Sequence, residues 1–210
     1  MFKSIIFDMD GTLLDSSYAL TCSVNHVRST IGLPPVSKEF LEFYINEPDQ
    51  DLPMKFYETK EFSPVHQELF REHYMKNLHY HVKPYEGVFE LLEYLKSTGA
   101  TLSVATNATD YFAKYMLEYC KMSDFFTHIV GSNNVENKKP SPDMIEHVVK
   151  VTSIPLEKTI LVGDSVKDEF AAMNAKVEFI FADWGYGESK TAQKRFDKID
   201  EMHHYFTKIL

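Results

Sequence analysis

From residue 83 onward, short apolar segments alternate with helical patterns, and this alternation restricts the fold more than any other feature of the chain. Each apolar segment has four or five residues, as does a further one near the N-terminus, and such runs are typical of buried strands. Strands separated by helices of about 10 residues form βαβ units, which build a parallel sheet covered by helices on both faces. The sequence therefore predicts an α/β fold. The predicted strands are 3–7, 101–105, 127–130, 159–162 and 177–181.

Between residues 16 and 81 the chain carries helical patterns only, without a strand signal. Serine and aspartate cap helix N-termini, and proline is favoured at the first helical position. The predicted helix starts are Ser16 or Ser17, Ser37, Asp51 and Ser63-Pro64. So long a segment is too long for a loop in a compact domain, and it predicts a helical insert of roughly 65 residues. We therefore expect a discontinuous core, residues 1–15 and 83–210, and a helical domain, residues 16–82.

The composition excludes several classes of protein. With 44% apolar and 25% charged residues among 210, the chain is neither disordered nor fibrous. Its net charge of −9 argues against nucleic acid or an anionic membrane as the main partner. No window approaches the roughly 18 apolar residues of a membrane helix, and the apolar start is too short for a signal peptide. The two cysteines, Cys22 and Cys120, fit a reducing compartment, so we expect a cytoplasmic protein.

Polar residues follow every predicted strand. Ligands of open α/β sheets bind outside the carboxyl ends of the strands, so these residues indicate a site. Three crowded aspartates would repel one another, and a divalent cation would relieve this repulsion. Ligands with oxygen donors only suit Mg²⁺, which also recruits phosphate oxygens, so the pattern favours phosphate chemistry. In strand order the residues are Asp8 and Asp10, Thr106 and Asn107, Lys138 and Lys139 after a polar loop, Asp164 and Asp168, and Asp183.

Each of these features alone has a structural explanation. An aspartate after a strand often caps a helix, and Asp164 and Asp168 suit a cap and a first helical turn. Thr106-Asn107 alone would be a turn, and either lysine alone a solvated surface charge. Four such features in a consistent order at strand ends favour a functional site.

Four motifs carry a resemblance to a known family: FDMDGTLLDS, ATN, KKPSPD and LVGDSVKDEFAA. Together they resemble those of the haloacid dehalogenase (HAD) superfamily. Within it they are similar to phosphatases with a helical cap inserted after the first strand, the phosphoglycolate phosphatase-like and β-phosphoglucomutase-like branch. The resemblance covers the whole core. It implies a Rossmann-like parallel-sheet core with a small helical cap, and GTLLDS as the hinge of that cap.

The resemblance also implies a role for each motif residue. Asp8 would be the nucleophile that forms an aspartyl-phosphate, and Asp10 would be the general acid and base. Thr106 and the backbone of Asn107 would bind the transferring phosphoryl oxygens. Lys139 would neutralise charge on the nucleophile and the phosphoryl group. We expect Lys139 rather than Lys138 in this role, because the family's lysine directly precedes a proline.

The same resemblance implies a Mg²⁺ site. Its ligands would be Asp8, the backbone carbonyl of Asp10, and Asp164. Asp168 would orient the lysine or a water on the metal.

The expected activity is Mg²⁺-dependent hydrolysis of a small phosphorylated metabolite, a phosphate monoester. In this superfamily the dehalogenases lack an aspartate at the position of Asp10, so Asp10 favours ester hydrolysis. A sugar phosphomutase or phosphotransferase remains an alternative, although His26 lies further along the chain than the cap histidine of mutases. A non-catalytic binding module is a second alternative, which the intact Asp8, Asp10, Lys139 and Asp164 disfavour.

The expected cap differs from the family's pattern at residues 44–50, YINEPDQ, where many relatives carry a glycine-containing loop. Its acidic character disfavours strongly anionic substrates such as phosphoglycolate. We interpret the aromatic residues of the cap as packing. We interpret its histidines His73, His79 and His81 as surface or core residues rather than metal ligands.

Overall fold

The computed structural model describes residues 2–48, 50–189 and 191–210, and a six-stranded sheet lies at its centre. In chain order the strands are β1 (Ser4–Phe7), β2 (Leu14–Asp15), β3 (Lys83–Pro84), β4 (Thr101–Ala105), β5 (His128–Val130), β6 (Thr159–Gly163), β7 (Glu178–Ala182) and β8 (Arg195–Phe196). The sheet has the order β5-β4-β1-β6-β7-β8, and all its paired neighbours are parallel. Strands β2 and β3 form a separate antiparallel pair.

Helices connect these strands and fill the segment between β2 and β3. They are α1 (Ser17–Thr30), α2 (Lys38–Asn46), α3 (Leu52–Tyr57), α4 (Pro64–His81), α5 (Val88–Ser97), α6 (Asp110–Tyr119), α7 (Asp143–Thr152), α8 (Val166–Ala175) and α9 (Ile199–Ile209). Across the described ranges, none of them combines the length and the apolar character needed to span a membrane.

Both faces of the sheet are buried under helices. Successive residues of a strand point to opposite faces, so Ile5 and Phe7 pack on one side while Ile6 packs on the other. Helices α5, α6 and α9 cover the first side, and α7 and α8 cover the second. This arrangement confirms the predicted α/β fold with a parallel sheet.

The helical segment α1–α4 has a hydrophobic cluster of its own, formed by Val24, Val27, Leu41, Phe56 and Tyr57. Three of the predicted caps are present. The side chains of Ser37, Asp51 and Ser63 each accept a hydrogen bond of 3.1 Å from a backbone N–H in the first turn of the helix that follows. The predicted division into domains, 1–15 with 83–210 and 16–82, stays a prediction.

Three strands and one α-helix of the described residues are missing from the sequence-based prediction. Strands β2, β3 and β8 have two residues each, too few to give a periodic signal, and tertiary pairing alone stabilises them. The missing helix is α9, although its buried residues Ile199, Met202 and Phe206 do follow a helical period. The sequence predicts the helix after β6 over residues 168–175, but α8 begins earlier, at Val166, because Ser165 rather than Asp164 caps it.

Candidate active site

Most of the predicted site residues line one cavity at the carboxyl edge of the sheet. We call this cavity, which has a volume of about 250 Å³, the strand-end pocket. Asp164 does not line it, but single carboxylate oxygens of Asp164, Asp8 and Asp168 lie within 4.8 Å of one another. The fold thus brings residues of all four motifs together. The residues with a predicted role that line the pocket are Asp8, Asp10, Thr106, Asn107, Lys139 and Asp168.

Lys139 lies at the buried centre of this group. Its ammonium donates to Asp8 Oδ1 at 2.6 Å, to Asp168 Oδ1 at 2.5 Å and to the backbone oxygen of Ala105 at 2.7 Å. These bonds use all three donors of the ammonium, and only 3% of the side chain is exposed. Lys138 lines the same pocket but is exposed. The structure therefore places Lys139 rather than Lys138 against Asp8.

Asp168 both holds the lysine and begins helix α8. Its Oδ1 accepts from Lys139, while Oδ2 accepts from Ser165 Oγ at 2.5 Å and from the Ser165 backbone N–H at 3.2 Å. Ser165 Oγ in turn accepts from the backbone N–H of Asp168 at 3.3 Å, which completes a capping box. Asp168 therefore lies in the first helical turn and also contacts Lys139, and its part in the site stays a prediction.

Asn107 ties the loop of the second motif to the loop that carries Lys139. Its side chain accepts from the backbone N–H of Lys139 and donates to the backbone oxygen of the same residue, both at 2.9 Å. Thr106 is buried, and its Oγ1 accepts from the backbone N–H of Ala108 at 3.1 Å. The amide of Asn107 is engaged in this way, and the phosphate contact predicted for its backbone N–H stays a prediction.

Asp10 is linked to the start of α1 and, through it, to Tyr186. The hydroxyl of Ser16 donates to Asp10 Oδ1. The Tyr186 hydroxyl accepts hydrogen bonds from the backbone N–H groups of Ser16 at 2.5 Å and Ser17 at 3.1 Å. It thus takes the place of the side chain that usually caps the first turn of a helix. Burial raises the pKa of Asp10, and the bond from Ser16 opposes this rise.

The backbone of two turns lies close against the Asp164 side chain. Its Oδ1 accepts from Thr12 Oγ1 at 3.0 Å, and its Oδ2 accepts from the backbone N–H of Tyr186 at 2.8 Å. A Cβ added at Gly11, where φ is +86°, would lie 2.2 Å from Asp164 Oδ2, and one at Gly185 would lie 2.3 Å from Asp164 Cβ. Glycine at both positions is what lets the two turns approach this carboxylate.

The electrostatics of the group are dominated by burial. Burial raises the pKa of Asp8 well above its usual range, and the Lys139 ammonium opposes that rise. Burial also raises the pKa of Asp164 to about 7, and the charge of Asp168 adds to the increase. For Lys139, burial lowers the pKa, but the carboxylates of Asp168 and Asp8 outweigh this effect and the net shift is upward. Three buried carboxylates thus share one buried cation.

This donor set fits a hard divalent cation. The groups that converge are carboxylate oxygens, which are the ligands that Mg²⁺ prefers. Asp168 accepts three hydrogen bonds, one of them from the Lys139 ammonium, whereas Asp164 accepts two from neutral donors and Asp8 accepts one. Asp8 and Asp164 therefore keep more free lone pairs and are the better candidates for direct ligands. The backbone carbonyl of Asp10 remains the third predicted ligand.

Two residues considered from the sequence lie elsewhere. Asp183 follows β7 but pairs with Arg195, at 2.6 and 2.9 Å, and does not line the strand-end pocket. This corrects its grouping with the other strand-end aspartates. His26 stacks on His73 with ring centroids 4.4 Å apart and does not line the pocket either.

Sequence reasoning did not identify Tyr186 and Lys167. Tyr186 lies in the segment WGYG after β7, and two glycines beside an aromatic residue at a strand end are a usable signal of close backbone approach. Lys167 lines the strand-end pocket and donates to the backbone oxygen of Ile45, at the end of α2, at 2.7 Å. Burial lowers the pKa of Lys167 to about 8, and the nearby charge of Lys138 acts in the same direction. No local pattern indicates this contact.

A comparison with family models identifies the family. The model described as "haloacid dehalogenase-like hydrolase" matches residues 5–182, which include all four motifs. This chain is a haloacid dehalogenase-like hydrolase. The resemblance read from the motifs and the prediction of an enzyme are both confirmed.

Relatives of this hydrolase include named phosphatases. A phosphoglycolate phosphatase from Aquifex aeolicus is 32% identical over 184 residues, covering 88% of this chain and 86% of the relative. One from Agrobacterium fabrum is 31% identical over 188 residues, covering 86% and 80%. The crystal structure of a predicted phosphoglycolate phosphatase from Haemophilus somnus has a TM-score of 0.83 at 26% identity and covers 98% of each chain. The hydrolase is therefore similar to phosphatases over nearly its whole length.

Proposed function

We propose that this hydrolase is a Mg²⁺-dependent phosphatase that cleaves a small phosphate monoester through an aspartyl-phosphate on Asp8. The observation that carries the proposal is the buried bond from Lys139 to Asp8 Oδ1, at 2.6 Å, inside a pocket that also contains Asp10. A lysine in this position holds one carboxylate oxygen and leaves the other to attack. It also supplies positive charge where the phosphoryl group must sit.

In the first step, Asp8 attacks phosphorus and the ester oxygen departs. Asp10 gives its proton to that oxygen, and its raised pKa favours the protonated form that this role requires. Ser16 orients the Asp10 carboxyl through its hydroxyl. In the second step, Asp10 takes a proton from water, the water oxygen attacks phosphorus, and Asp8 is released together with inorganic phosphate.

The other residues of the pocket stabilise charge on the phosphoryl oxygens. Thr106 and the backbone N–H of Asn107 donate hydrogen bonds to them, and Lys139 balances their negative charge. Asp8, Asp164 and the Asp10 carbonyl would hold Mg²⁺, which when bound shields the nucleophile from the charge of the substrate. Asp168 keeps the Lys139 ammonium in place at 2.5 Å.

The pocket suits a small anionic ester. It holds three lysines, Lys138, Lys139 and Lys167, and Glu47 of the acidic segment 44–50 does not line it. Asp49 of that segment lies outside the described residues. The relatives named phosphoglycolate phosphatase make 2-phosphoglycolate the first ester to test. A cytoplasmic location is part of the proposal, in keeping with two free cysteines.

The test is a phosphate-release assay on small esters, including 2-phosphoglycolate, with the wild type and Asp8→Asn. We expect Asp8→Asn to lower kcat by about 10³-fold or more, since an amide oxygen cannot form the phosphoenzyme. Mass spectrometry of the quenched wild type should detect one phosphoryl group on Asp8. A chelator should abolish turnover, and added Mg²⁺ should restore it.

Two results would refute parts of this proposal. Full turnover by Asp8→Asn would exclude the covalent mechanism, and activity that a chelator leaves unchanged would exclude the metal. Formation of an isomeric phosphate ester instead of inorganic phosphate would indicate the phosphomutase alternative. The position of His26, stacked on His73 outside the pocket lining, gives that alternative no support.

A further inference from the structure

A second, larger cavity lies between helices α1–α4 and the start of α6. It has a volume of about 480 Å³, and we call it the apolar chamber. All four helices of the inserted segment contribute to its walls, together with Tyr111 and Phe112 of α6. Val24, Leu41 and Phe70 are typical of its lining, which is mostly apolar.

The chamber adjoins the strand-end pocket. Leu20 of α1 and Ile45 of α2 line both cavities. Ala108 lines the strand-end pocket, and the next residue, Thr109, lines the chamber. The bond from Lys167 to the Ile45 backbone oxygen, at 2.7 Å, holds this junction against α8. The leaving group of a ligand seated at Asp8 would therefore enter the chamber by passing between Leu20 and Ile45.

The chamber has the character of a ligand site rather than of a packing defect. Protein interiors are close-packed, whereas ligand pockets have volumes of about 300–1,000 Å³ and mainly apolar walls. Among the described residues, only four buried side-chain polar atoms have no hydrogen-bond partner, and two of them line these cavities. His66 Nδ1 lies in the chamber wall and Asn46 Nδ2 in the wall of the strand-end pocket. Both atoms could bond to a ligand.

We infer that the apolar chamber binds the leaving group of the substrate, and that this group is a predominantly apolar alcohol. The inference rests on the proposed function, because a phosphoryl group at Asp8 is what directs the leaving group towards Leu20 and Ile45. The hydrophilic leaving group of phosphoglycolate would leave these apolar walls without contacts. An alkyl or aryl group carrying one polar substituent, within reach of His66, matches them.

The inference is tested with n-alkylphosphonates from methyl to hexyl, which carry no scissile ester bond. Their dissociation constants are measured by calorimetry in the presence of Mg²⁺. Burial of a methylene contributes about 0.8 kcal/mol, so we expect affinity to rise about fourfold for each added methylene until the chamber is filled. The heat capacity change of binding should become more negative along the series.

Three variants locate the alkyl chain. Val24→Phe fills part of the chamber and should remove most of the dependence on chain length, while methylphosphonate affinity changes less than twofold. Phe70→Leu enlarges the chamber, so the affinity should continue to rise for longer alkyl chains than in the wild type. Val65→Phe adds the same bulk as Val24→Phe at an exposed position of α4 that does not line the chamber. Its dissociation constants for the alkylphosphonates should therefore match those of the wild type. Thermal unfolding checks that each variant is folded.

Phosphate release from 2-phosphoglycolate and from n-alkyl phosphates is measured alongside. Affinities that do not depend on chain length, or a dependence that is equal in all variants, would overturn the inference. If phosphate release continues in that case, the proposed function stands. No release from any ester would overturn the proposed function, and the leaving-group inference with it.

Discussion

At the scale of single residues, the buried ammonium of Lys139 holds two carboxylates of the site together. A buried ammonium without partners would cost several kcal/mol, and here two carboxylates and one carbonyl offset that cost. The same bonds fix the ammonium beside Asp8. The contacts that allow Lys139 to be buried therefore also set the geometry of the proposed nucleophile, Asp8.

Asp168→Asn tests this arrangement. The amide oxygen can still accept the helix-capping bonds, but the charge that holds Lys139 is lost. We expect kcat to fall about 10–100-fold while KM changes little, as for other groups that orient a reacting side chain. Steady-state kinetics measure both parameters.

Asp183→Asn is the matched control, because Asp183 also follows a strand but pairs with Arg195 instead. Its kcat should stay within about twofold of the wild type, as expected for a partly exposed pair. Equal losses in the two variants would show that Asp168 has no special part in turnover.

At the scale of elements, the loop 183–189 after β7 joins the site to the inserted helices. Trp184 Nε1 donates to the Thr12 backbone oxygen at 3.1 Å. Tyr186 donates its backbone N–H to Asp164 and accepts two N–H groups at the start of α1 with its hydroxyl. One loop therefore contacts a predicted metal ligand and the proposed hinge of the cap.

Tyr186→Phe removes only the hydroxyl and leaves the bond to Asp164 intact. Two backbone N–H groups at the start of α1 then lose their acceptor. We expect the free energy of unfolding to fall by about 1–3 kcal/mol and kcat to fall several-fold, since Ser16 also orients Asp10. Urea unfolding and kinetics measure the two effects.

Tyr119→Phe serves as its control. The Tyr119 hydroxyl donates a single exposed bond to the His79 backbone oxygen at 3.0 Å, so its loss should cost less than about 0.5 kcal/mol and leave kcat unchanged. The role assigned to the Tyr186 hydroxyl is wrong if the two variants behave alike.

At the scale of the whole molecule, folding and ion binding are coupled through the buried carboxylates. Burial raises the pKa of Asp8, Asp10 and Asp164 in the folded state, that of Asp164 from 3.8 to about 7. A group with a raised folded-state pKa holds its proton more tightly when folded. For Asp164, the stability contributed is complete below the usual pKa of 3.8 and is lost as the pH rises through the folded-state value of about 7.

The metal-free protein should consequently be more stable at pH 5 than at pH 8. The contribution of Asp164 to this difference is about 2–3 kcal/mol. Mg²⁺ should raise stability more at pH 8, where the carboxylates are ionised, than at pH 5. Urea unfolding at both pH values, with and without Mg²⁺, measures the free energy of unfolding and so gives both differences. Asp164→Asn should reduce both the pH dependence and the effect of Mg²⁺, and an unchanged dependence would contradict this assignment.

The sequence by itself determined the α/β fold, the family and the candidate site residues. These follow from local rules: the two-residue period of strands, the 3.6-residue period of helices, and short motifs at strand ends. Tertiary structure alone decided which strand-end aspartates meet. Asp164 joins the site while Asp183 pairs with Arg195, although each follows a strand.

Tertiary structure also decided the pairing of β2 with β3, the contacts of Tyr186 and Lys167, and the apolar chamber. Tyr186 lies about 170 positions from Ser16, and the chamber is lined both by the inserted helices α1–α4 and by α6, which follows about 30 positions after the end of α4. The physical reason is that hydrogen bonds and cavities depend on distance in space. A period along the chain specifies an element, whereas the packing of elements against one another specifies what lies between them.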